Sequence, residues 1–367
     1  MISFHTKLYF INLLFYSISS FSTPATRLKC TGDNKCTIEG ADLQFFLIGD
    51  TGGDPIYPYT SYAQRRVADA MNELNTYGNY SFVINTGDNI YFNGASHVFD
   101  TRFEDSFEYP YDKEYLKMPF YMIFGNHDYL GNIDAQINYT YHSNKWTFPS
   151  YYYKINYELV NNDDIVKIKF IMLDTMQLCG NTIDIDGDSI FSWLKAEHHD
   201  PSGPENETLA NAQWDWIEGE LQNSREEYLF VVGHYPVYSA SEHGPTDCLI
   251  EKLDPLLRLY NVTAYFSGHD HNLQDILVHD NKTDTYMTYV VSGGGSKTDR
   301  SQKSSNKIPS NSLRFMYPVN GFNPFGQLGL SNGAFAGVKI TPKQTKLTFY
   351  NGKEEELHNM YLYPRSK

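Results

Sequence analysis

Apolar runs that end in a glycine and a polar residue recur along this chain. Each run has the length of a strand and is rich in β-branched and aromatic residues, which predicts a buried strand followed by a polar loop. The runs are "DLQFFLIGD" (42–50), "SFVINTGDNIYF" (81–92), "MPFYMIFGNHD" (118–128), "EYLFVVGHYP" (227–236) and "VTAYFSGHDHN" (262–272). Loops at strand ends are where a rigid scaffold usually presents its chemistry.

A helix is predicted between the first two runs. Apolar residues recur at helical spacing in "TSYAQRRVADAMNELNTYG" (60–78), with Thr60 or Ser61 as the N-cap and Gly78 as the stop. Strand, helix and strand form a βαβ unit, which requires parallel strands joined by a right-handed crossover. The pattern therefore predicts the α/β class.

The rest of the chain adds two helices and a strand-rich end. The helices are "AQWDWIEGELQNS" (212–224), with Asn211 as its N-cap, and "CLIEKLDPLLRLYN" (248–261). From about Thr285 onward the pattern is typical of strands, and a polar loop runs from Asn181 to Asn211. Neither an internal repeat nor a Pro/Ser linker is found. We expect one layered domain over residues 41–367.

Charge and the N-terminus limit the possible partners. Acidic residues outnumber basic ones 44 to 29, which argues against nucleic acid and against an anionic membrane surface. Lys7 precedes the apolar run 8–18, which is too short to span a bilayer and is typical of a signal-peptide core. We expect residues 1–22 to be a signal peptide, with a signal anchor as the alternative. The mature protein is then secreted or lysosomal, without stable membrane insertion.

The four cysteines and the sequons agree with export. An even number of cysteines in an exported chain predicts two disulfides, and the simplest local pair is Cys30–Cys36, in an N-terminal cysteine loop of residues 23–40. A zinc site of four thiolates is the alternative, but no C-x2-C pair supports it. Five sequons are candidates for glycosylation, of which we expect only some to be used: Asn79, Asn138, Asn206, Asn261 and Asn281.

The strand ends carry seven oxygen and nitrogen donors. They are Asp50, Asp88, Tyr91, Asn126, His234, His269 and His271. Parallel strands place their carboxyl ends along one edge of a sheet, so we expect these donors to converge on a metal centre. The set lacks a thiolate, which favours Fe, Mn or Zn in an open site. Seven donors are too many for one catalytic ion and suit two ions that share a carboxylate.

Single donors also have simpler interpretations. The Asp50 carboxylate could cap a helix, Tyr91 could be one of 30 tyrosines packed in the core, and the two imidazoles of G-H-D-H could be solvated. The ordered series G-D, G-D-x-x-Y, G-N-H-D, G-H and G-H-x-H is far more specific than any of its pieces.

That series resembles the metallophosphoesterases, and in detail the purple acid phosphatases. "GDNIYF", "GNHDYLGN", "LDTMQLCGN", "VVGHYPVYSASEHGPTDC" and "AYFSGHDHNLQ" are similar to the small, mammalian-type tartrate-resistant acid phosphatases, from about Leu43 to the C-terminal strands. Calcineurin-like phosphatases carry D-x-H in the first motif, where this chain has Asp50-Thr51-Gly52 and supplies Tyr91 instead. The resemblance implies a four-layer αββα sandwich, with two mixed β-sheets flanked by helices.

The resemblance divides the donors between a ferric ion and a divalent ion, Fe, Zn or Mn. The ferric set is Asp50, Tyr91 and His271; the divalent set is Asn126, His234 and His269; the shared carboxylate is Asp88. The phenolate of Tyr91 stabilises Fe(III), and its charge-transfer band would colour the protein violet to pink.

The implied reaction is the hydrolysis of phosphate monoesters by a metal-activated hydroxide, with His127 and His243 orienting the substrate and protonating the leaving group. Glu242 is a weaker candidate for proton handling. We expect small phosphomonoesters or phosphoproteins as substrates of a monomer. The alternatives are a metallophosphoesterase of another class (a nucleotidase or phosphodiesterase) and a non-catalytic binding protein.

The resemblance also bears on three loops. It pairs Cys179 with Cys248, and it implies that the loop 181–211 partly shields the site. His198 and His199 in that loop are expected to be surface residues. The stretch "SGGGS" (292–296) lacks the Gly-Lys-[ST] of a P-loop, so we interpret it as a tight turn beside the site.

Overall fold

The computed structural model describes residues 28–31, 35–162, 164–184, 197–198, 200–319 and 325–365. The expected signal peptide lies outside the described residues, as do His199 and residues 185–196 of the loop 181–211.

The described strands are numbered in chain order. They are β1 (Leu28–Thr31), β2 (Lys35–Glu39), β3 (Leu43–Ile48), β4 (Tyr80–Asn85), β5 (Phe120–Met122), β6 (Trp146–Thr147), β7 (Tyr153–Asn161), β8 (Asp164–Met172), β9 (Ile183–Asp184), β10 (Glu197–His198), β11 (Tyr228–Val232), β12 (Ala264–Ser267), β13 (Leu273–Asp280), β14 (Thr285–Ser292), β15 (Leu313–Tyr317), β16 (Ala334–Ile340), β17 (Thr345–Asn351) and β18 (Glu356–Leu362). The described α-helices are α1 (Tyr62–Tyr77), α2 (Ile133–Tyr139), α3 (Thr175–Cys179), α4 (Glu207–Asn223) and α5 (Asp247–Leu259).

Two mixed sheets form the centre of the fold. One has the strand order β1-β2-β7-β8-β11-β12-β14-β13-β15, and the other has the order β18-β17-β16-β3-β4-β5-β6. Helix α1 packs beside β16 of the seven-stranded sheet, whereas α3, α4 and α5 contact one another, with α5 against β14 of the nine-stranded sheet. The predicted α/β architecture of two mixed sheets flanked by helices is therefore confirmed.

Aromatic side chains fill the space between the sheets. Phe45 and Phe82, on neighbouring strands β3 and β4, stack with ring centroids 5.0 Å apart, and Phe170 of β8 meets Phe45 edge-on at 5.2 Å. All three rings are fully buried. Strands that are buried on both faces have nearly continuous apolar sequences, as β3 and β4 do. Aromatic pairs in this geometry stabilise the fold beyond the effect of their buried area.

Helix α1 begins and ends where its capping residues predict. The Ser61 hydroxyl accepts a hydrogen bond from the amide of Gln64, and the Gly78 amide donates to the carbonyl of Leu74. These bonds satisfy backbone groups that a helix end otherwise leaves open. The buried face includes Val67 and Leu74, as the helical spacing predicts.

Two expected elements differ from the structure. Helix α4 is capped by Asn206, whose side chain accepts from the amide of Leu209, and not by Asn211. Its first turn lies at the surface, with Leu209 50% exposed, so the apolar spacing that reveals a helix starts one turn late. The expected cysteine loop 23–40 contains the antiparallel hairpin β1–β2, and β2 also pairs in parallel with β7.

Both predicted disulfides are present. Cys30–Cys36 joins directly opposed residues of β1 and β2, and Cys179–Cys248 joins α3 to α5 across 69 residues of sequence. Among the described residues, none of the helices combines the length and apolar character needed to cross a membrane.

Candidate metal centre

The seven predicted donors come from two sheets whose strands end at the same side of the molecule. The parallel strands β3, β4 and β5 lead into the loops of Asp50, Asp88 and Asn126. The parallel strands β11 and β12 of the other sheet lead into the loops of His234 and of His269 with His271. The expectation of a single sheet edge is therefore wrong, because sheet membership depends on long-range pairing that strand patterns do not encode.

Glycines before the donors let the loops approach closely. A Cβ atom on Gly125 would lie 2.1 Å from Oδ1 of Asp88, and one on Gly268 would lie 2.4 Å from Oδ2 of Asp50. Neither distance is possible between non-bonded atoms, so only glycine fits at these positions. Glycine is therefore needed at these positions to leave room for the donor side chains, and not only to form the turns.

Three donors adopt backbone conformations that are rare outside glycine. The φ angles are +57° for Asp50, +54° for Asp88 and +69° for His269. Left-handed conformations of non-glycine residues cost free energy and are concentrated at functional sites. Here they occur at donor residues that directly follow a strand and a loop glycine.

One group of donors surrounds the phenol oxygen of Tyr91. This oxygen lies 3.2 Å from Oδ1 of Asp50 and 2.9 Å from Nε2 of His271. Nε2 of His271 is in turn 3.6 Å from Oδ1 of Asp50. The three atoms form a triangle small enough to be spanned by one cation.

A second group surrounds the side-chain oxygen of Asn126. Oδ1 of Asn126 lies 2.8 Å from Nε2 of His234 and 3.0 Å from Nδ1 of His269, and the two imidazole nitrogens are 3.2 Å apart. Oδ1 of Asp88 is 3.5 Å from Nε2 of His234. Ligand atoms of Asp50, Asp88 and His234 all lie within 4.8 Å of one another, so Asp88 connects the two groups.

Backbone and side-chain acceptors fix the orientation of the imidazoles. Nδ1 of His234 donates to the carbonyl of Thr86 at 2.8 Å, and Nδ1 of His271 lies 2.8 Å from Oε1 of Gln327. Holding Nδ1 in this way presents Nε2 of both rings to the centre, as is common for histidines that bind metals.

Burial shifts the pKa values of these groups toward their neutral forms. Desolvation raises the pKa of Asp50, with the neighbouring Asp88 adding to the effect, and desolvation also raises the pKa of Asp88. It lowers the pKa of His234 to about 4 and that of His271 to about 3. A buried acidic pair beside imidazoles that are themselves neutral suits bound cations. The residues present therefore fit two metal ions.

A cavity of about 530 Å³ opens above the donors, and both predicted catalytic histidines line it. Nδ1 of His127 lies 2.8 Å from the carbonyl of Phe92, and the ring of His243 lies 4.2 Å from the ring of His269. Glu242 also lines the cavity, where its carboxylate accepts bonds from Lys303 and Ser301.

Two buried aspartates that the sequence did not single out hold these loops together. Asp128 accepts hydrogen bonds from the backbone amides of Asn89, Ile90 and Gly125. Asp270 accepts from the amide of His243 at 3.0 Å. Each aspartate lies inside a motif, G-N-H-D or G-H-D-H, and that position next to the donors was the signal available in the sequence.

Lys297 is a third residue that the motifs did not reveal. It lies directly after the turn 292–296, is 2% exposed and lines the cavity. Burial lowers the pKa of Lys297 to about 8. The turn itself lies beside the donors, since a Cβ atom on Gly293 would come within 2.7 Å of Oδ2 of Asp50.

The remaining predicted features are the loop 181–211 with its histidines and the five sequons. Thr182, Asp200 and Pro201 of the loop 181–211 line the cavity. Of the five sequon asparagines, Asn79 is half-buried and the other four are exposed. His198 lies in the short strand β10.

Comparisons with known proteins agree with these observations. The family model for calcineurin-like phosphoesterases matches residues 43–273. The chain is 37% identical over 328 residues to tartrate-resistant acid phosphatase type 5 of Homo sapiens, covering 89% of this chain and 92% of the relative. It is 28% identical over 365 residues to purple acid phosphatase 7 of Arabidopsis thaliana, covering 100% of this chain and 98% of the relative.

Solved structures share the fold at lower identity. GAP50, described as the anchor in the inner membrane complex of Plasmodium, superposes with a TM-score of 0.71 at 21% identity over 89% of this chain and 90% of its own. Purple acid phosphatase PPD1 from yellow lupin (Lupinus luteus) seeds gives 0.57 at 14% identity, over 89% of this chain and 56% of its own. These two structures, an anchor and a phosphatase, share one fold, so the fold alone does not indicate the function. The function has to be inferred from the side chains at the site.

Proposed function

Because the chain belongs to the calcineurin-like phosphoesterases and, among them, to the purple acid phosphatases, we propose that it hydrolyses phosphate monoesters at a centre of two metal ions. The observation that carries this proposal is the convergence of seven donors in two groups joined by Asp88. A fold-sharing anchor protein would not need such a set.

The chemistry of the donors supports a ferric ion beside a divalent one. Asp50, Tyr91 and His271 would hold Fe(III), because phenolate and carboxylate are hard anionic donors; Asn126, His234 and His269 would hold Fe(II), Zn(II) or Mn(II). Asp88 would be shared. Bound cations at such a centre supply Lewis acidity, which lowers the pKa of water and neutralises charge on phosphate oxygens.

The chain's own residues would bind the ester and handle its proton. Because Nδ1 of His127 is held by the carbonyl of Phe92, Nε2 is the ring nitrogen that can form a hydrogen bond with a phosphate oxygen. His243, whose backbone is fixed by Asp270, can donate a proton to the leaving alkoxide. The cavity is large enough for a small monoester or for one phosphorylated side chain.

The test of the proposal replaces Asp88 with asparagine. Asparagine tolerates the left-handed backbone at this position, so Asp88→Asn removes the charge of the shared ligand without new strain. We expect loss of both metal ions and at least about a thousandfold fall in kcat for an aryl phosphate. Metal analysis of the purified protein and an assay below neutral pH measure the two effects.

Asp164→Asn is the matched control, because this aspartate is exposed at the start of β8. It should leave metal content and turnover at wild-type values. Retention of both ions by Asp88→Asn would contradict the shared-ligand role, and wild-type protein that binds metal but hydrolyses no phosphomonoester would contradict the enzymatic function.

We also propose that the protein is secreted or lysosomal. The apolar run 8–18 after Lys7, the two disulfides and the four exposed sequon asparagines support this proposal. N-terminal sequencing of protein recovered from the medium or from lysosomes should begin close to residue 23. An intact N-terminus would favour a signal anchor instead.

A further inference from the structure

The side chain of Lys297 lies on two aromatic rings at the inner wall of the cavity. Its Nζ atom is 4.2 Å from the ring centroid of Tyr91 and 4.0 Å from that of Phe92. The two rings are adjacent in sequence, and their centroids are 5.5 Å apart. A cation on an aromatic face is attracted by the π electrons, and this attraction increases when the pair is removed from water.

This lysine differs from the other two lysines of the cavity. Lys303 is exposed and ion-paired with Glu242 at 2.8 Å, and Lys307 is also exposed. Lys297 is 2% exposed, and the carboxylates of Asp50, Asp54 and Asp88 act on it electrostatically. Buried lysines are rare because desolvation of the ammonium is costly, and here the two aromatic rings and the nearby carboxylates offset that cost.

We propose that Lys297 is a specificity-determining residue of the phosphatase site: its ammonium group provides a fixed positive charge that favours dianionic phosphate monoesters over monoanionic diesters. The proposal rests on the function proposed above. Near neutral pH a monoester carries almost two negative charges, because its second pKa is about 6, whereas a diester carries one. A fixed cation on the cavity wall therefore stabilises the bound monoester more than the bound diester.

The same charge acts on Tyr91. A cation over the ring stabilises electrons in the phenolate, which raises the energy of a charge transfer from phenolate to a ferric ion. Removing the ammonium should therefore move the visible band to longer wavelength. This spectroscopic readout does not depend on turnover, and a merely structural role of Lys297 would not produce it.

The experiment compares Lys297→Met with Lys297→Arg in metal-loaded protein at pH 7. For Lys297→Met we expect the ratio of kcat/KM for p-nitrophenyl phosphate to that for bis(p-nitrophenyl) phosphate to fall about tenfold, a size typical of one charge-assisted contact. The inhibition constant of inorganic phosphate should rise by a similar factor, and the visible band should shift to longer wavelength. Lys297→Arg keeps the positive charge, so its substrate ratio, its inhibition constant and its visible band should stay close to the wild-type values.

Two controls separate this role from general effects. Lys343→Met removes an exposed charge between β16 and β17 and should behave as wild type in all three measurements. Tyr91→Phe should abolish the visible band, which identifies its source. If Lys297→Met does not fold, as judged by circular dichroism, Lys297→Gln is measured in its place and is subject to the same expectations.

An unchanged monoester-to-diester ratio with an unshifted band would overturn the role of Lys297 while leaving the phosphatase intact. Equal losses on both substrates would also overturn it, because they would indicate general damage to the site. Failure of the proposed function looks different: the wild-type protein would then hydrolyse neither ester.

Discussion

At the scale of single residues, the positions before the donors tolerate substitution as little as the donor positions themselves, because only glycine fits there. Space around them is already occupied: a Cβ atom on Gly49 would lie 1.9 Å from Oγ1 of Thr86, and one on Gly233 would lie 2.2 Å from the hydroxyl of Tyr265. The recurrence of G-D, G-N and G-H in the sequence thus has a packing cause in addition to any turn. A substitution at one of these glycines would displace the loop that carries the donor.

Gly125→Ala tests this interpretation. The added methyl group would lie 2.1 Å from Oδ1 and 2.2 Å from the amide nitrogen of Asp88, so Asp88 has to move. We expect kcat/KM for an aryl phosphate to fall by about a hundredfold or more, the usual result of misplacing a reacting group by an ångström, together with a lower metal content. Steady-state kinetics and metal analysis measure both.

Gly219→Ala is the matched control for the glycine substitution. Gly219 lies inside α4, and a Cβ atom there would meet nothing within 4 Å. Alanine should raise the free energy of unfolding by about 0.5–1 kcal/mol because it lowers the entropy of the unfolded chain, and turnover should be unchanged. If Gly125→Ala retained full activity and metal, the proposed packing of the loop against Asp88 would be contradicted.

The sequence predicted the donors but not the residues that support them. Donors stand in motifs with fixed neighbours, so Asp50 or His234 can be recognised without coordinates. Asp270 acts on His243, which is 27 positions away, and Lys297 acts on Tyr91, which is 206 positions before it. Such partners are set by tertiary packing, and the local pattern around Lys297 indicated only a tight turn.

At the scale of elements, the two disulfides close loops of very different length. Cys179–Cys248 closes 69 residues of sequence and joins α3 to the helix that follows the His243 loop, whereas Cys30–Cys36 closes only 6 within the β1–β2 hairpin. In the chain-entropy model, a cross-link stabilises the fold more when it closes a longer loop. The two bridges should therefore contribute unequally to stability.

Replacing each pair by alanines measures this difference. We expect the free energy of unfolding to fall by about 4 kcal/mol for Cys179→Ala with Cys248→Ala, and by about 2 kcal/mol for Cys30→Ala with Cys36→Ala. Urea unfolding of the two double variants under identical conditions provides the comparison. A larger loss from the hairpin pair would mean that local packing of β1 and β2, and not loop closure, dominates its contribution.

Elements with local signals were predicted well, and those without them were not. Helix α1 has a serine cap, an apolar stripe and a terminal glycine, and its bounds match the expectation. Strands β1 and β2 have only four and five residues, and β2 joins the sheet by pairing with the distant β7. The start of α4 was predicted wrongly for a related reason, because Glu207, Thr208 and Leu209 in its first turn are exposed.

At the scale of the whole molecule, the metal centre lies where the two sheets meet. Asp50, Asp88 and Asn126 follow strands of the seven-stranded sheet, and His234 and His269 follow strands of the nine-stranded sheet. Ions held by this set would link the sheets at one end, while the core of Phe45 and Phe170 links them along their faces. Metal binding should therefore stabilise the entire domain and not only the loops.

Removing the metal should lower the stability of the folded protein by a defined amount. At free metal about a thousand times each dissociation constant, each ion that binds only the native state adds about 4 kcal/mol. Two ions therefore add about 8 kcal/mol, which corresponds to about 11 °C in Tm for a chain of this length. Calorimetric scans of loaded and chelator-treated protein at the same pH measure the shift. Asp88→Asn should unfold at one temperature in both conditions, since it lacks the shared ligand. A wild-type Tm that does not respond to chelation would mean that the cations contribute nothing to joining the sheets.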